Sequence, residues 1–146
     1  MRKLDSIFKK YGTRYGVDPL LLKAIATVES SLKSDAVNEA DRYSVGLMQI
    51  LYRPSSALDR NSPPSNRFNI EGWNEATFDK LKDPDFNVKL GAQILAWNIK
   101  TYGMPRGIAV YNAWDQRHAP QGGPFKNQSY VDKVTRVYAQ LQEKSK

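Results

Sequence analysis

A chain of 146 residues, 40% hydrophobic and 25% charged, holds enough apolar material for one core of ordinary domain size, which excludes disordered and collagen-like architectures. It has no cysteine and a single histidine, His118, so thiol catalysis, disulfide frameworks and zinc sites with two or more Cys/His ligands are excluded, and a Ser-His-Asp triad survives only if His118 serves it. Proton chemistry then falls mainly on the 15 Asp and Glu residues, on tyrosines or on shifted lysines, while 22 Lys and Arg leave a formal charge of +7, spread without the dense block of a nucleic-acid-binding arm. That charge suits an anionic partner or only a solvated basic surface.

The amino terminus, MRKLDSIFKK, reaches Asp5 and Ser6 before any apolar stretch of signal-peptide length, and no segment has the composition of a transmembrane span. Leu4, Ile7, Phe8 and Tyr11 follow helical spacing, which predicts a short first helix on the outside of the core, closed by Gly12 or Gly16. Asp18-Pro19 reads as an N-cap followed by a proline at the first helical position, opening the helix LLLKAIATVESS. Residues 34–46 and 53–73 turn polar, the second stretch rich in Pro, Ser and Asn, and read as loops. Between them SVGLMQILY is compatible with a short strand or with the start of a short helix. A second cap pair, Asp83-Pro84, predicts a long buried helix up to Gly103. Pro105 opens another through Asn112, and a last helix from about Ser129 carries Val134, Val137, Tyr138 and Leu141 on one face. The expected fold is mainly α, one domain over 1–146, with at most a small β-hairpin near residues 41–50.

Glu29 continues the apolar stripe of Leu22, Ile25 and Ala26, which sets pattern against chemistry because a buried carboxylate costs free energy unless it is paired or neutralised. Desolvation and the negative end of its helix both push such an acid toward its protonated form near neutral pH. A donor of that kind suits cleavage of a glycosidic bond, whose leaving oxygen needs a proton. The competing reading pairs Glu29 with a buried Lys or Arg, or turns it out to solvent.

Four segments occur in order: Ala26-Thr27-Val28-Glu29-Ser30-Ser31, Ser44-Val45-Gly46-Leu47-Met48-Gln49-Ile50, Ala109-Val110-Tyr111-Asn112-Ala113 and Tyr130-Val131-Asp132-Lys133-Val134. Together they resemble the motif series of the soluble lytic transglycosylases, lysozyme-like enzymes that cut peptidoglycan. The segment from Asp83-Pro84 through Leu95 resembles that family's intervening helix. The likeness spans residues 14–138, and it implies a lysozyme-like fold with the sheet beside an active-site cleft, peptidoglycan glycan strands as substrate, and no metal or cofactor. It further implies that Glu29 protonates the oxygen between N-acetylmuramic acid and N-acetylglucosamine, then takes the proton of the muramyl C6 hydroxyl as that oxygen attacks the anomeric carbon, leaving a 1,6-anhydromuramyl end. The substrate's own acetamido group would stabilise the positive charge. A lysozyme-like hydrolysis would need a second carboxylate, about 5–5.5 Å or 6.5–9.5 Å away, for which Asp35, Glu39, Asp41, Asp59, Glu71 and Glu75 are candidates. A non-catalytic cationic domain that binds the envelope is a third reading.

The same resemblance assigns substrate-binding positions to Ser44, Gly46, Met48, Gln49, Tyr111, Asn112 and Tyr130. Gly46 would let backbone approach the sugar, Gln49 would offer it a donor and an acceptor, and Met48 fits core packing equally well. Tyr111 would hold the glutamate or the acetamido group, or be a buried aromatic with a satisfied hydroxyl. Asn112 would bind or brace, and Tyr130 would line the cleft. Trp114 stands where a glycine is usual, and Lys126, Asn127, Gln128 and Ser129 stand where relatives carry an acid, which puts a second acidic contributor in that loop in doubt. Trp73, Trp97 and Trp114 are possible sugar-stacking residues, with Trp97 at core spacing, and His118 reads as surface. The whole resembles a monomeric phage or prophage endolysin, made in the cytoplasm without a signal peptide, released to the wall through a holin and drawn electrostatically to an anionic envelope.

Overall fold

The computed structural model describes residues 2–39, 44–52 and 78–146, and it begins with helix α1 (Arg2–Tyr15), followed by helix α2 (Pro19–Ser30). Contrary to the expectation of a short outer helix, α1 runs for 14 residues and enters the core, where Phe8 is 1% exposed and Ile7 and Tyr11 are buried. Its apolar stripe is narrow on a charge-rich helix, but it is covered by both α2 and a long later helix, α3 (Pro84–Tyr102), and that double cover buries it. Gly16, at φ 76°, closes α1, and the Val17 N–H donates to Gly12 O at 2.9 Å in a Schellman turn.

Both Asp-Pro starts form as expected. Asp18 accepts from Leu20 N at 2.9 Å to cap α2, and Asp83 accepts from Phe86 N at 3.0 Å to cap α3. Asp18 also accepts from the Tyr138 hydroxyl at 2.6 Å, joining the start of α2 to the last helix, α5 (Gln128–Lys144). That bond, with partial burial and the Asp18 charge behind it, pushes the Tyr138 phenol up to about 12. A phenol whose folded pKa exceeds its unfolded value stabilises the fold below pH 10 and stops doing so as the pH climbs through 12. Melting midpoints taken across that window are therefore expected to fall less steeply for Tyr138→Phe than for the parent protein; equal slopes would show that the bond is not maintained.

After α2 the chain forms a three-stranded antiparallel sheet of two-residue strands, β1 (Val37–Asn38), β2 (Ser44–Val45) and β3 (Ile50–Leu51). Val45 lies opposite both Val37 and Ile50, so residues 46–49, the GLMQ segment, are the loop of the β2–β3 hairpin. The open choice between strand and helix is thus resolved as a hairpin. Its apolar residues Val45, Leu47, Met48 and Ile50 all point into the core.

Past α3 come a short helix α4 (Arg106–Asn112), a 3-10 turn over Trp114–His118, and α5. α5 lies along α2, and α4 packs on α3. On α5, Val131 and Val134 are buried while Val137, Tyr138 and Leu141 pack at the core's edge. The architecture is mainly helical with a small sheet, consistent with a lysozyme-like fold. Among the described residues no helix is long and apolar enough to cross a membrane.

Candidate active site

Glu29 is the penultimate residue of α2, in its carboxyl-terminal turn. The helix stops because Ser31 and Leu32 both adopt left-handed backbone, at φ 55° and 62°. The last helical residue, Ser30, is buried with its Oγ 2.8 Å from Leu47 O and 3.0 Å from Ala26 O, so the end of α2 is tied to the hairpin loop. Glu29 itself is partly buried, and the Tyr130 hydroxyl from the first turn of α5 donates to its Oε2 at 2.9 Å. The structure thus pairs Glu29 with a phenol carried by α5.

Tyr111, on α4, donates its hydroxyl proton to Met48 O at 2.7 Å. Burial first, and then the negative charge of Glu29, push both Tyr111 and Tyr130 well above the ordinary tyrosine value. Both phenols stay protonated, but they offer different things. Tyr130 gives its proton to Glu29; Tyr111 has spent its proton on the hairpin and turns only oxygen lone pairs elsewhere. The Tyr111 hydroxyl is thus satisfied by the hairpin, and it is Tyr130 that bonds the glutamate.

The hairpin loop is built from inside. Met48, assigned to substrate, has a side chain with no exposure, packed where a Cβ on Gly91 of α3 would lie 2.4 Å from its sulfur. Its contribution to the site is its backbone, whose N–H donates to Asn87 Oδ1 at 2.8 Å and whose carbonyl accepts from Tyr111. Gly46, expected to admit sugar, is buried at φ 84°, and a Cβ there would lie 2.2 Å from Asn87 Nδ2 and 2.4 Å from Leu81 O. It is glycine because the backbone is left-handed and α3 approaches closely. Gln49 donates both amide hydrogens inward, to Gly46 O at 3.0 Å and Ala36 O at 3.2 Å. Both partners are carbonyls, so Oε1 is the end of Gln49 left for a ligand. Ser44 is buried in β2.

Asn112 is exposed at the end of α4, and its Oδ1 accepts from Asn127 Nδ2 at 3.0 Å. Arg117 lies 4.3 Å over the Trp114 ring and the Tyr102 ring meets Trp114 edge-on, so one face of that indole is covered. Trp97 is partly buried against Tyr102, and His118 is exposed. Asp35 and Glu39 are exposed near the sheet, whereas Asp41, Asp59, Glu71, Glu75 and Trp73 lie outside the described residues.

Two structural organisers were missed in the sequence. Asn87, with no exposure, donates to Val45 O and Leu81 O at 2.8 Å each besides accepting from Met48 N, so all three of its bonds hold the hairpin and the approach to α3. Its signal was the same as that of Glu29, a polar residue in an apolar stripe, here between Asp83-Pro84 and Gly91. Arg106 Nη1 meets Gln116 O at 3.1 Å and Ala119 O at 2.7 Å, bracing the loop after α4. No local pattern announces that contact.

Residues 6–132 match the family model described as "Transglycosylase SLT domain". The chain is also 30% identical, over an alignment of 151 positions covering 95% of it and 80% of the relative, to a protein of Escherichia coli O157:H7 named "Peptidoglycan-binding-like protein".

Proposed function

The chain belongs to the transglycosylase SLT domain family, and on that premise we propose that it cleaves peptidoglycan glycan strands by a non-hydrolytic route, with Glu29 as the one group that moves protons. The observation that carries this reading is the Tyr130 hydroxyl on Glu29 Oε2, beside a Tyr111 hydroxyl committed to Met48 O.

Glu29 first protonates the glycosidic oxygen between N-acetylmuramic acid and N-acetylglucosamine as the bond from the anomeric carbon to that oxygen breaks. The carboxylate formed keeps its bond from Tyr130. It then accepts the proton of the muramyl C6 hydroxyl while that oxygen bonds to the anomeric carbon. One bond is lost and one gained, the acid is regenerated, and no water is consumed. The 1,6-anhydromuramyl end follows from that balance. The +7 charge favours approach to an anionic envelope.

Purified sacculi distinguish cleavage from mere attachment. The protein is expected to release soluble glycan fragments; pelleting with the sacculi without release would support a binding domain and contradict the proposal. Tyr130→Phe is expected to lower turnover about ten- to a hundredfold, because a hydrogen bond to a charged group is worth about 1.5–3 kcal/mol. An unchanged rate in that variant would remove Tyr130 from the mechanism.

A further inference from the structure

At the opposite end of α2 from Glu29, the turn between α1 and α2 and the second half of α3 enclose an open crevice of about 400 Å³, with Tyr15 and Gly16 on one side and Ala96, Trp97 and Lys100 on the other. That volume lies within the range of about 300–1,000 Å³ typical of small-ligand sites. Its aromatic walls are held by neighbours. The Tyr15 ring is stacked on Tyr11 with centroids 6.3 Å apart, and Trp97 meets Tyr102 edge-on at 5.8 Å. Such walls need no ordering when a ligand arrives. The space between them depends on two small residues. A Cβ on Gly16 would meet nothing within 4 Å, and its left-handed backbone accounts for the glycine. Helix geometry makes no such demand at Ala96, where a larger side chain would fill the crevice.

The polar groups at the rim are of two kinds. Lys100 is exposed, and among the described lining residues it is the one charged side chain. Opposite it stands the carboxyl end of α1, whose last carbonyls are acceptors and carry partial negative charge. A ligand that suits both has an apolar body, a carboxylate for Lys100 and N–H groups for the end of α1. An acyl chain lacks the N–H groups, and a neutral sugar lacks the charge.

We propose that this crevice binds the carboxyl end of a short peptide of small apolar residues, of the kind that branches from peptidoglycan strands, with its carboxylate on Lys100 and its methyl groups between Tyr15 and Trp97. The inference rests on the reading that peptidoglycan is the substrate, but not on turnover. Ten residues of α2 separate Pro19 from Glu29, about 15 Å of helix. A peptide held here and a glycan strand at Glu29 therefore belong to different parts of one polymer, and each contact strengthens the other.

The probe is diacetyl-lysyl-D-alanyl-D-alanine, titrated into the ¹⁵N-labelled protein. Saturable shifts are expected in the amide signals of Gly16 and of residues 96–100, with those of Glu29 and Tyr130 unmoved. The carboxamide form of the peptide and the Lys100→Gln variant are each expected to weaken binding about two- to fivefold, the worth of an exposed ion pair. Ala96→Leu is expected to abolish the response with its melting midpoint unchanged. In the Glu29→Gln protein, Ala96→Leu should also reduce retention on intact sacculi but not on sacculi stripped of peptide by an amidase. Absence of saturable shifts would overturn the proposal, as would equal binding of the acid and the carboxamide. An equal loss of retention on intact and stripped sacculi would make the crevice a glycan site and overturn it too. Failure of the parent protein to release fragments from sacculi would instead strike the proposed reaction and leave the peptide titration standing.

Discussion

Glu29→Gln is expected to fold like the parent protein and to lose fragment release by about a thousandfold or more. General acid or base assistance at one step is typically worth about 10²–10⁴ in rate, and here both proton transfers pass through the same carboxyl. The amide keeps an oxygen for the Tyr130 hydroxyl, which now bonds Glu29 Oε2, so the packing of α5 on α2 has no reason to change. What the amide lacks is a transferable proton. Rates on purified sacculi, with melting midpoints on the same samples, separate the two effects. A loss below tenfold with an unchanged midpoint would mean that the chemistry lies elsewhere.

Asn87→Ala is expected to have the largest effect on stability outside the apolar core. Three buried groups, Val45 O, Leu81 O and Met48 N, would lose their partner. Each unsatisfied buried group costs about 1–3 kcal/mol, partly relieved by rearrangement, so a net loss of about 3–5 kcal/mol and a fall of about 10 °C in melting midpoint are expected. Asn87→Asp is no remedy: it keeps an acceptor for Met48 N but sets carboxylate oxygen against two carbonyls. The comparison is Asn38→Ala, at an exposed position of β1, which should stay within about 0.5 kcal/mol. Activity in Asn87→Ala should fall below what the unfolded fraction accounts for, because Met48 O is the acceptor that holds Tyr111 beside Glu29. Full activity per folded molecule would contradict the role given to the hairpin.

The parts of this fold that were legible in the sequence are those whose chemistry is local. Asp18-Pro19 and Asp83-Pro84 each carry cap and first-turn proline in adjacent residues, and each opens a helix where expected. Glu29 stood out because it interrupts an apolar stripe, a signal that needs only helical spacing. A small hairpin near residues 41–50 was expected, but the choice of strand or helix for the segment around GLMQ stayed open because its strands are two residues long, too short for any period to register. The depth of α1 depends on what covers its stripe, which is decided by α3 some seventy residues later. That Tyr130 and not Tyr111 donates to Glu29 has the same origin. Tyr111 was expected to hold the glutamate or the acetamido group, or to be a buried aromatic, and Tyr130 to line the cleft, but which hydroxyl reaches Glu29 is set by how α4 and α5 dock, and the backbone carbonyl of Met48 that occupies Tyr111 has no signature in any motif. Asn87 gave a signal as good as that of Glu29, but an asparagine in an apolar stripe suggests no reaction.

The mass of the fragments released from purified sacculi tests the central claim most directly. If Glu29 both gives and takes the proton, every newly cut strand ends in a 1,6-anhydromuramyl residue, and its muropeptides are lighter by one water than those left by a hydrolase. Newly formed ends that are reducing, with that water added, would contradict the account and require a second carboxylate to activate water.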